Sequence, residues 1–64
     1  MKRSVLLKHL KEKGCKLHRE GGNHTMFINP VNGKTAAVPR HPDVREFLAF
    51  DICKQLDIPK PKIN

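Results

Sequence analysis

Two clusters of turn-forming residues divide the middle of this 64-residue chain into segments that are long enough only for short strands. The first cluster, Glu-Gly-Gly-Asn, occupies residues 20–23, and the second, Asn-Pro-Val-Asn-Gly, occupies residues 29–33. Glycine and asparagine tolerate the positive φ angles that tight turns require. The segments 15–19, 24–28 and 34–38 are therefore predicted strands, and strands joined by short turns pair antiparallel.

The first predicted strand alternates apolar and polar residues, which is typical of a half-buried strand. The register of the hairpin that it forms with the second strand stays open at this point. A four-residue turn pairs Leu17 with Met26, whereas a turn of three or five residues shifts every facing relationship. The register decides whether His24 points towards the helices or lies on the open side of the sheet.

A helix is predicted before the first strand. Leu6, Leu7 and Leu10 fall on one apolar stripe at helical spacing. Ser4 is a suitable N-terminal cap, and Gly14 is a suitable residue for ending the helix.

A second helix is predicted after the third strand. Asp43 followed by Glu46 resembles a capping box with an acidic first residue. The helix runs to about Leu56, because Pro59 and Pro61 prevent its continuation.

The element order is α-β-β-β-α, which predicts a single α+β domain over residues 1–64, with two helices on one face of a three-stranded antiparallel sheet. A chain of this length buries only about 60% of its unfolded surface, so one thin core is expected. No apolar run approaches the roughly 18–20 residues that span a bilayer, and no secretory leader pattern follows the first residues. A cytoplasmic protein without a membrane partner is expected.

The two cysteines, Cys15 and Cys53, form neither a C-x-x-C motif nor a larger disulfide pattern. We interpret both as small hydrophobic core residues in a reducing cytosol.

Charge indicates an anionic partner. Thirteen Lys and Arg against six Asp and Glu leave a formal net charge of +7. Such an excess favours phosphate polymers, anionic membranes or an acidic protein, although a basic surface with no such partner is the other interpretation.

The chain lacks the residues that several classes of catalytic site require. The chain has no G-x-S-x-G motif and no phosphate-binding P-loop. Its four histidines show no metal-ligand spacing, and no pair of carboxylates is available for acid–base work. Neither a metal nor a small-molecule cofactor is predicted.

The histidines and the positively charged residues remain as candidates for a catalytic or binding role. His24 directly follows Gly21-Gly22-Asn23, where two glycines allow a phosphate backbone to approach. A histidine among cations can take a proton from a ribose 2′-hydroxyl, which then attacks the adjacent phosphorus; such proton transfer contributes about 10²–10⁴-fold to a rate. The alternative is a histidine that is only polar surface. The other candidate RNA-binding residues are Arg19, Lys34, Arg40 and His41.

Short motifs also occur in a characteristic order: Gly14-Cys15, Arg19-Glu20-Gly21-Gly22-Asn23-His24, Asn29-Pro30, Gly33-Lys34, Val38-Pro39-Arg40-His41, and the ending from Ile52 to Pro59. Together they resemble the HicA toxin family, also called YcfA-like, over nearly the whole chain. The resemblance implies a fold similar to double-stranded-RNA-binding domains. It also implies an mRNA interferase that is the toxin of a type II toxin–antitoxin pair and is blocked by a HicB antitoxin. The family's essential histidine follows a Gly-Ser or Gly-Asn pair, which corresponds to His24.

The second helix departs from the family's expected pattern. Its predicted core stripe leaves Phe47 and Phe50 facing elsewhere, at positions where small or polar residues are expected. We interpret the two rings as an apolar partner surface. The alternatives are that the tail containing Pro59 and Pro61 folds over them, or that they are simply exposed. The stripe consists of Leu48, Ala49, Ile52, Cys53 and Leu56.

The leading hypothesis is thus a metal-independent endoribonuclease acting on mRNA. His24 is the acid–base group, residues 21–23 shape the receiving turn, and His41 is either a complementary acid or a residue at the entry to the second helix. Arg19, Lys34 and Arg40 hold phosphates. The second hypothesis is a non-catalytic RNA-binding module of the same fold. The third is a small interaction subunit whose charge serves an acidic partner.

Overall fold

The computed structural model describes residues 1–62 and has the predicted α-β-β-β-α order. The three strands form one antiparallel sheet in the order β1-β2-β3. The α+β fold class is confirmed; residues 63–64 of the expected domain lie outside the described residues. The elements are α1 (Arg3–Glu12), β1 (Lys16–Glu20), β2 (His24–Ile28), β3 (Thr35–Pro39) and α2 (Glu46–Leu56).

Helix α1 begins at Arg3, two residues earlier than a Ser4 cap would allow, so that prediction was wrong. Lys2 occupies the N-cap position without a side-chain hydrogen bond, and Ser4 lies exposed inside the first turn. The reason is tertiary: Lys2 forms an isolated antiparallel bridge with Asp43, and the Arg3 amide donates to the carbonyl oxygen of Pro42 at 2.8 Å. The loop before α2 thus satisfies one of the amide donors that the first turn of a helix leaves without an intrahelical partner.

The same bridge explains why Asp43 does not cap α2, which corrects the second cap prediction. Helix α2 starts at Glu46, and its N-cap residue Arg45 has extended backbone angles and no side-chain cap bond. Asp43 lies too far upstream, in the segment that pairs with Lys2. The predicted end at Leu56 is confirmed.

Gly14 ends α1 as predicted. Its φ angle is +89°, a conformation that glycine adopts without steric cost. The Cys15 amide donates to the carbonyl oxygen of Leu10 at 2.9 Å, and the Gly14 amide donates to that of Lys11 at 3.1 Å. This pair of bonds is the Schellman arrangement, which satisfies carbonyl groups at the helix end.

Both helices pack on one face of the sheet. Leu6 and Leu10 from α1 share a core with Phe27 and Val38 from the sheet, and the predicted stripe of α2 is buried except for Leu48, which packs partly buried against it. The two cysteines are free thiols in this core, as expected for small hydrophobic residues, and burial raises the pKa of both. Among residues 1–62, the buried hydrophobic residues that form this core are Leu6, Leu10, Cys15, Phe27, Ala36, Val38, Val44, Ala49, Ile52, Cys53 and Leu56.

Strand β1 is not half-buried as predicted: all five of its residues are exposed, and the buried Cys15 precedes it. β1 is an edge strand, and a register shift between Leu17 and Arg19 interrupts its alternation at His18. A bulge of this kind places two residues opposite one on the neighbouring strand. Leu17, which pairs with the buried Phe27, stays about half exposed (51%).

Candidate functional site

The register of the β1–β2 hairpin places His24 on the open side of the sheet, away from the helices. The outermost pair is Glu20 with Thr25, so the connecting loop comprises residues 21–24. Thr25 is buried on the core face, and His24 is exposed on the other face, where it lies opposite Pro39 of β3. Leu17 pairs with Phe27 and not with Met26, because the loop starts one residue later than residues 20–23 and the bulge at His18 shifts the register again.

A surface cavity of about 480 Å³ lies beside His24, at the end of the sheet where β2 begins and β3 ends. It brings together five of the residues that were singled out in the sequence, and it joins two loops that are far apart along the chain. Its lining consists of Gly22, Asn23, His24, Pro39, Arg40 and His41.

Arg40 holds the loop before His24 in place. Its Nη2 donates to the carbonyl oxygen of Gly21 at 2.6 Å and to the Glu20 carboxylate at 3.0 Å, and it lies 3.4 Å from the carbonyl oxygen of His24. Its Nη1 donates to the carbonyl oxygen of Gly22. A planar guanidinium presents several donors in a rigid fork, so one side chain can bind successive backbone carbonyls. The loop glycines are therefore fixed by a residue that follows β3.

A second set of polar contacts supports this loop from the core side. The buried Thr25 hydroxyl donates to Glu20 Oε1 at 2.8 Å and accepts a bond from Arg3 Nη2 at 3.0 Å. Arg3 Nε also donates to the carbonyl oxygen of Pro39 at 2.8 Å. The hydrogen bond from Thr25, together with that from Arg40, lowers the pKa of the Glu20 carboxyl. The start of α1, both ends of the hairpin loop and the end of β3 are thereby linked.

Sequence reasoning missed Arg3, Thr25 and Glu20 as parts of this site. Arg3 reads as one more cation off the apolar stripe of α1, and Thr25 reads as an ordinary strand residue. Their contacts join positions 22 and 36 residues apart along the chain. Only the alternation of β2, which puts Thr25 on the face opposite His24, was available as an indication.

The two remaining predicted cations lie in different places. Arg19 is opposite Met26, two positions from His24 along β2, so it shares the open face with His24. Lys34 precedes β3 at the other end of the sheet, next to the pair Thr35–Ile28. The structure brings Arg19 into the neighbourhood of the cavity and leaves Lys34 apart from it.

No metal centre is evident among residues 1–62, since no three His, Cys, Asp or Glu side chains there cluster in a way that could hold an ion. The described helices are also too short and too polar to cross a membrane.

Phe47 and Phe50 differ in exposure. Phe47 is 69% exposed, whereas Phe50 is half-buried with the Lys60 ammonium 5.1 Å from the centre of its ring. A cleft of about 570 Å³ runs between both rings and the residues after α2. The tail is anchored on α1, where a His9 ring nitrogen lies 2.7 Å from the carbonyl oxygen of Pro59. The tail thus lies beside Phe50, as one of the alternatives expected, and leaves Phe47 open.

A protein-family model matches residues 4–58 of the chain, which include four complete elements, all of α1 except Arg3, and the whole cavity. The matching model describes the HicA toxin of bacterial toxin–antitoxin systems. The chain belongs to the HicA toxin family. Searches of curated proteins and of solved structures found no match. The family resemblance based on the Gly-Gly-Asn-His run and the motifs around it is therefore confirmed, and an antitoxin is the kind of partner that membership implies.

Proposed function

We propose that this chain is a metal-independent endoribonuclease that cleaves mRNA in the cytoplasm and is neutralised by a HicB-type antitoxin. The observation that supports this most directly is the position of His24. Its side chain is exposed at the edge of a cavity whose lining includes a second histidine, a cation and the backbone of a glycine-containing loop. These are the groups that transfer of a phosphodiester to a ribose hydroxyl requires.

In the proposed reaction the His24 imidazole accepts the proton of a ribose 2′-hydroxyl. The 2′-oxygen forms a bond to the adjacent phosphorus, and the bond from phosphorus to the 5′-oxygen of the next nucleotide breaks. That leaving oxygen must gain a proton. His41 lines the same cavity and is the candidate acid for this step.

Positive charge stabilises the phosphorane-like transition state, in which negative charge builds on the phosphate oxygens. Arg40 lines the cavity, and its guanidinium also binds the loop carbonyls. In this proposal Arg19, which lies on the same open face as His24, holds a neighbouring phosphate. Lys34 lies at the far end of β3, and in this proposal it binds a more distant phosphate of the same RNA strand.

The decisive test is cleavage of a long, largely unstructured RNA in EDTA by the wild type and by His24→Ala. We expect the wild type to cleave and His24→Ala to lose at least 10²-fold in rate. His18→Ala is the matched control, because it removes a second exposed imidazole from the neighbouring strand without altering the cavity lining. Melting temperatures should be unchanged in both variants, since neither side chain is buried.

Equal cleavage by the wild type and His24→Ala would refute the role of His24. RNA that the wild type binds in a gel shift without cleaving it would favour the non-catalytic RNA-binding module instead.

We also propose that the exposed ring of Phe47, with the adjacent Phe50, contacts the antitoxin. A large aromatic side chain at this exposure is a frequent anchor in protein interfaces. Phe47→Ser and Phe50→Ser should each weaken antitoxin binding, by about 10-fold or more, and leave the activity of the free toxin unchanged. Val31→Ser is the control, because Val31 is a 91% exposed apolar residue on the β2–β3 turn. Unchanged affinity in both Phe variants would remove these rings from the antitoxin interface.

A further inference from the structure

The face of the sheet opposite the helices is organised in three cross-strand rows. The row at the cavity pairs His24 with Pro39. The register then gives a middle row, Arg19–Met26–Ala37, and an outer row, Lys16–Ile28–Thr35. We call these eight residues the open face.

Two of the three rows of the open face share one arrangement. In the middle row and the outer row, a cation stands on the edge strand β1 and an apolar residue, Met26 or Ile28, stands beside it on β2. Met26 and Ile28 are only half-buried, because no described element covers them. Successive rows are separated by two residues of β2, which is about 6.6 Å along a strand. None of the eight residues is acidic.

The excess of positive charge lies in the segment that contains α1 and β1, and Lys16 and Arg19 bring part of it to the open face. Residues 1–19 contain seven Lys and Arg and one acidic residue, whereas residues 41–62 contain four of each sign. A polyanion is therefore attracted to the half of the molecule that contributes β1, and much less to the half that contributes α2.

We propose that the open face binds the single-stranded RNA that leads away from the scissile phosphate in the cavity. Arg19 and Lys16 contact successive phosphates along β1, and the bases lie against Met26 and Ile28. This inference rests on the proposed ribonuclease function and extends it from one histidine to a path for the substrate.

The apolar middle of the open face favours a single strand over a duplex. In a double helix the faces of the bases are stacked inside, and the protein meets phosphates, sugars and 2′-hydroxyls. Met26 and Ile28 would have nothing to contact there. An unpaired strand presents both a phosphate backbone and base faces. The phosphates can contact the cations on β1, and the bases can contact Met26 and Ile28 on β2.

The test measures binding by fluorescence anisotropy in the His24→Ala background, so that the RNA stays intact and the outcome does not depend on whether His24 is catalytic. The probe is a labelled, unstructured oligoribonucleotide, titrated at several salt concentrations. Lys16→Ala with Arg19→Ala removes both cations of the open face. Lys8→Ala with Lys11→Ala is the control pair, because it removes two exposed cations from α1 on the other side of the sheet.

We expect the open-face pair to weaken binding by about 10-fold or more and to flatten the plot of log K against log salt by about 1.4 units, since each phosphate contact on a single strand contributes about 0.7. The control pair should leave that slope unchanged. Equal effects of the two pairs would mean general attraction without a path and would overturn the proposal.

A second variant tests the contribution of the apolar residues Met26 and Ile28 without removing a cation. Met26→Glu should weaken binding of the single strand. Val31→Glu adds the same negative charge at an exposed apolar residue outside the open face, and it should weaken binding less than Met26→Glu does. An unlabelled duplex of the same sequence should compete poorly with the probe. A duplex that competes as well as the single strand would overturn the proposal. So would a Met26→Glu variant that keeps RNA binding and loses antitoxin binding, because the open face would then belong to the protein partner.

Discussion

Arg40 Nη2 donates a 2.6 Å hydrogen bond to the carbonyl oxygen of Gly21, which joins the end of β3 to the loop that precedes His24. Arg40 was predicted as a phosphate ligand, and the structure gives its guanidinium several partners within the protein. Two consecutive glycines are conformationally free in isolation. The contact restricts them next to His24, the residue for which we propose a catalytic role.

Arg40→Ala should therefore lower kcat by about 10-fold or more and speed amide hydrogen exchange in the loop at residues 21–24, because the loop carbonyls lose their common donor. Lys11→Ala removes a charge of the same sign from the exposed surface of α1 and should change neither quantity. Arg40→Lys separates the two roles, since an ammonium keeps the charge but lacks the planar fork. Full activity in Arg40→Lys would show that charge alone matters, which supports phosphate binding over loop positioning.

The Glu20 carboxylate should stabilise the fold in a pH-dependent way. Hydrogen bonds from Thr25 and Arg40 lower its folded-state pKa below the ordinary value of 4.5. Its contribution is then present above about pH 4.5 and is lost as the pH falls through the lowered pKa. Urea unfolding of wild type and Glu20→Gln between pH 7 and pH 3 should show a stability difference that narrows in acid.

The size of that difference should be small, because the Arg40–Glu20 pair is largely exposed. Glu12→Gln, on the exposed surface of α1, is the comparison variant. A difference between wild type and Glu20→Gln that stays constant with pH would contradict the hydrogen-bonded carboxylate.

Replacement of Gly14 by alanine should lower the free energy of unfolding more than the same replacement at Gly22. Gly14→Ala places a β-carbon on a residue with φ of +89°, which costs about 1–2 kcal/mol in the free energy of unfolding. Gly22→Ala meets open space, and its backbone is outside the left-handed region, so its effect should be within about 0.5 kcal/mol. Chemical denaturation of the two variants measures both values, and equal losses would contradict the strained helix end at Gly14.

Cys15 and Cys53 should resist alkylation in the folded protein. Both thiols are buried, and burial raises their pKa, so little thiolate is present and reagents have poor access. At pH 8, modification by iodoacetamide should be at least 10-fold slower in buffer than in denaturing urea. Rapid modification of either thiol in buffer would show that the core opens readily around that cysteine.

Local signals accounted for the parts of the fold that depend on neighbouring residues. The turn clusters located all three strands to within one residue, and helical spacing identified the buried stripe of α2. Gly14 was recognised because a helix end needs a positive φ angle whatever surrounds it. The family could be identified as well, since each of its short motifs is contiguous in the chain and the motifs occur in a characteristic order.

The caps at Ser4 and Asp43 were wrong because the two segments pair with each other, and a serine or an aspartate cannot indicate a partner that lies some forty residues away. The exposure of β1 and the face of His24 depended on a bulge and on a one-residue difference in loop position. A register shift of one residue exchanges the two faces of a strand, and local propensity does not distinguish the alternatives.

The amino-acid sequence by itself determined the element order, the core stripe and the family, because turn chemistry and apolar periodicity act over a few residues. Only the tertiary structure decided that His24 faces away from the helices, that Arg40 binds the loop before it, and that Arg3 and Thr25 support the same loop. Those outcomes depend on hydrogen bonds between segments that are distant in the chain. Such bonds form only after the core has brought the start of α1, the hairpin and the end of β3 together.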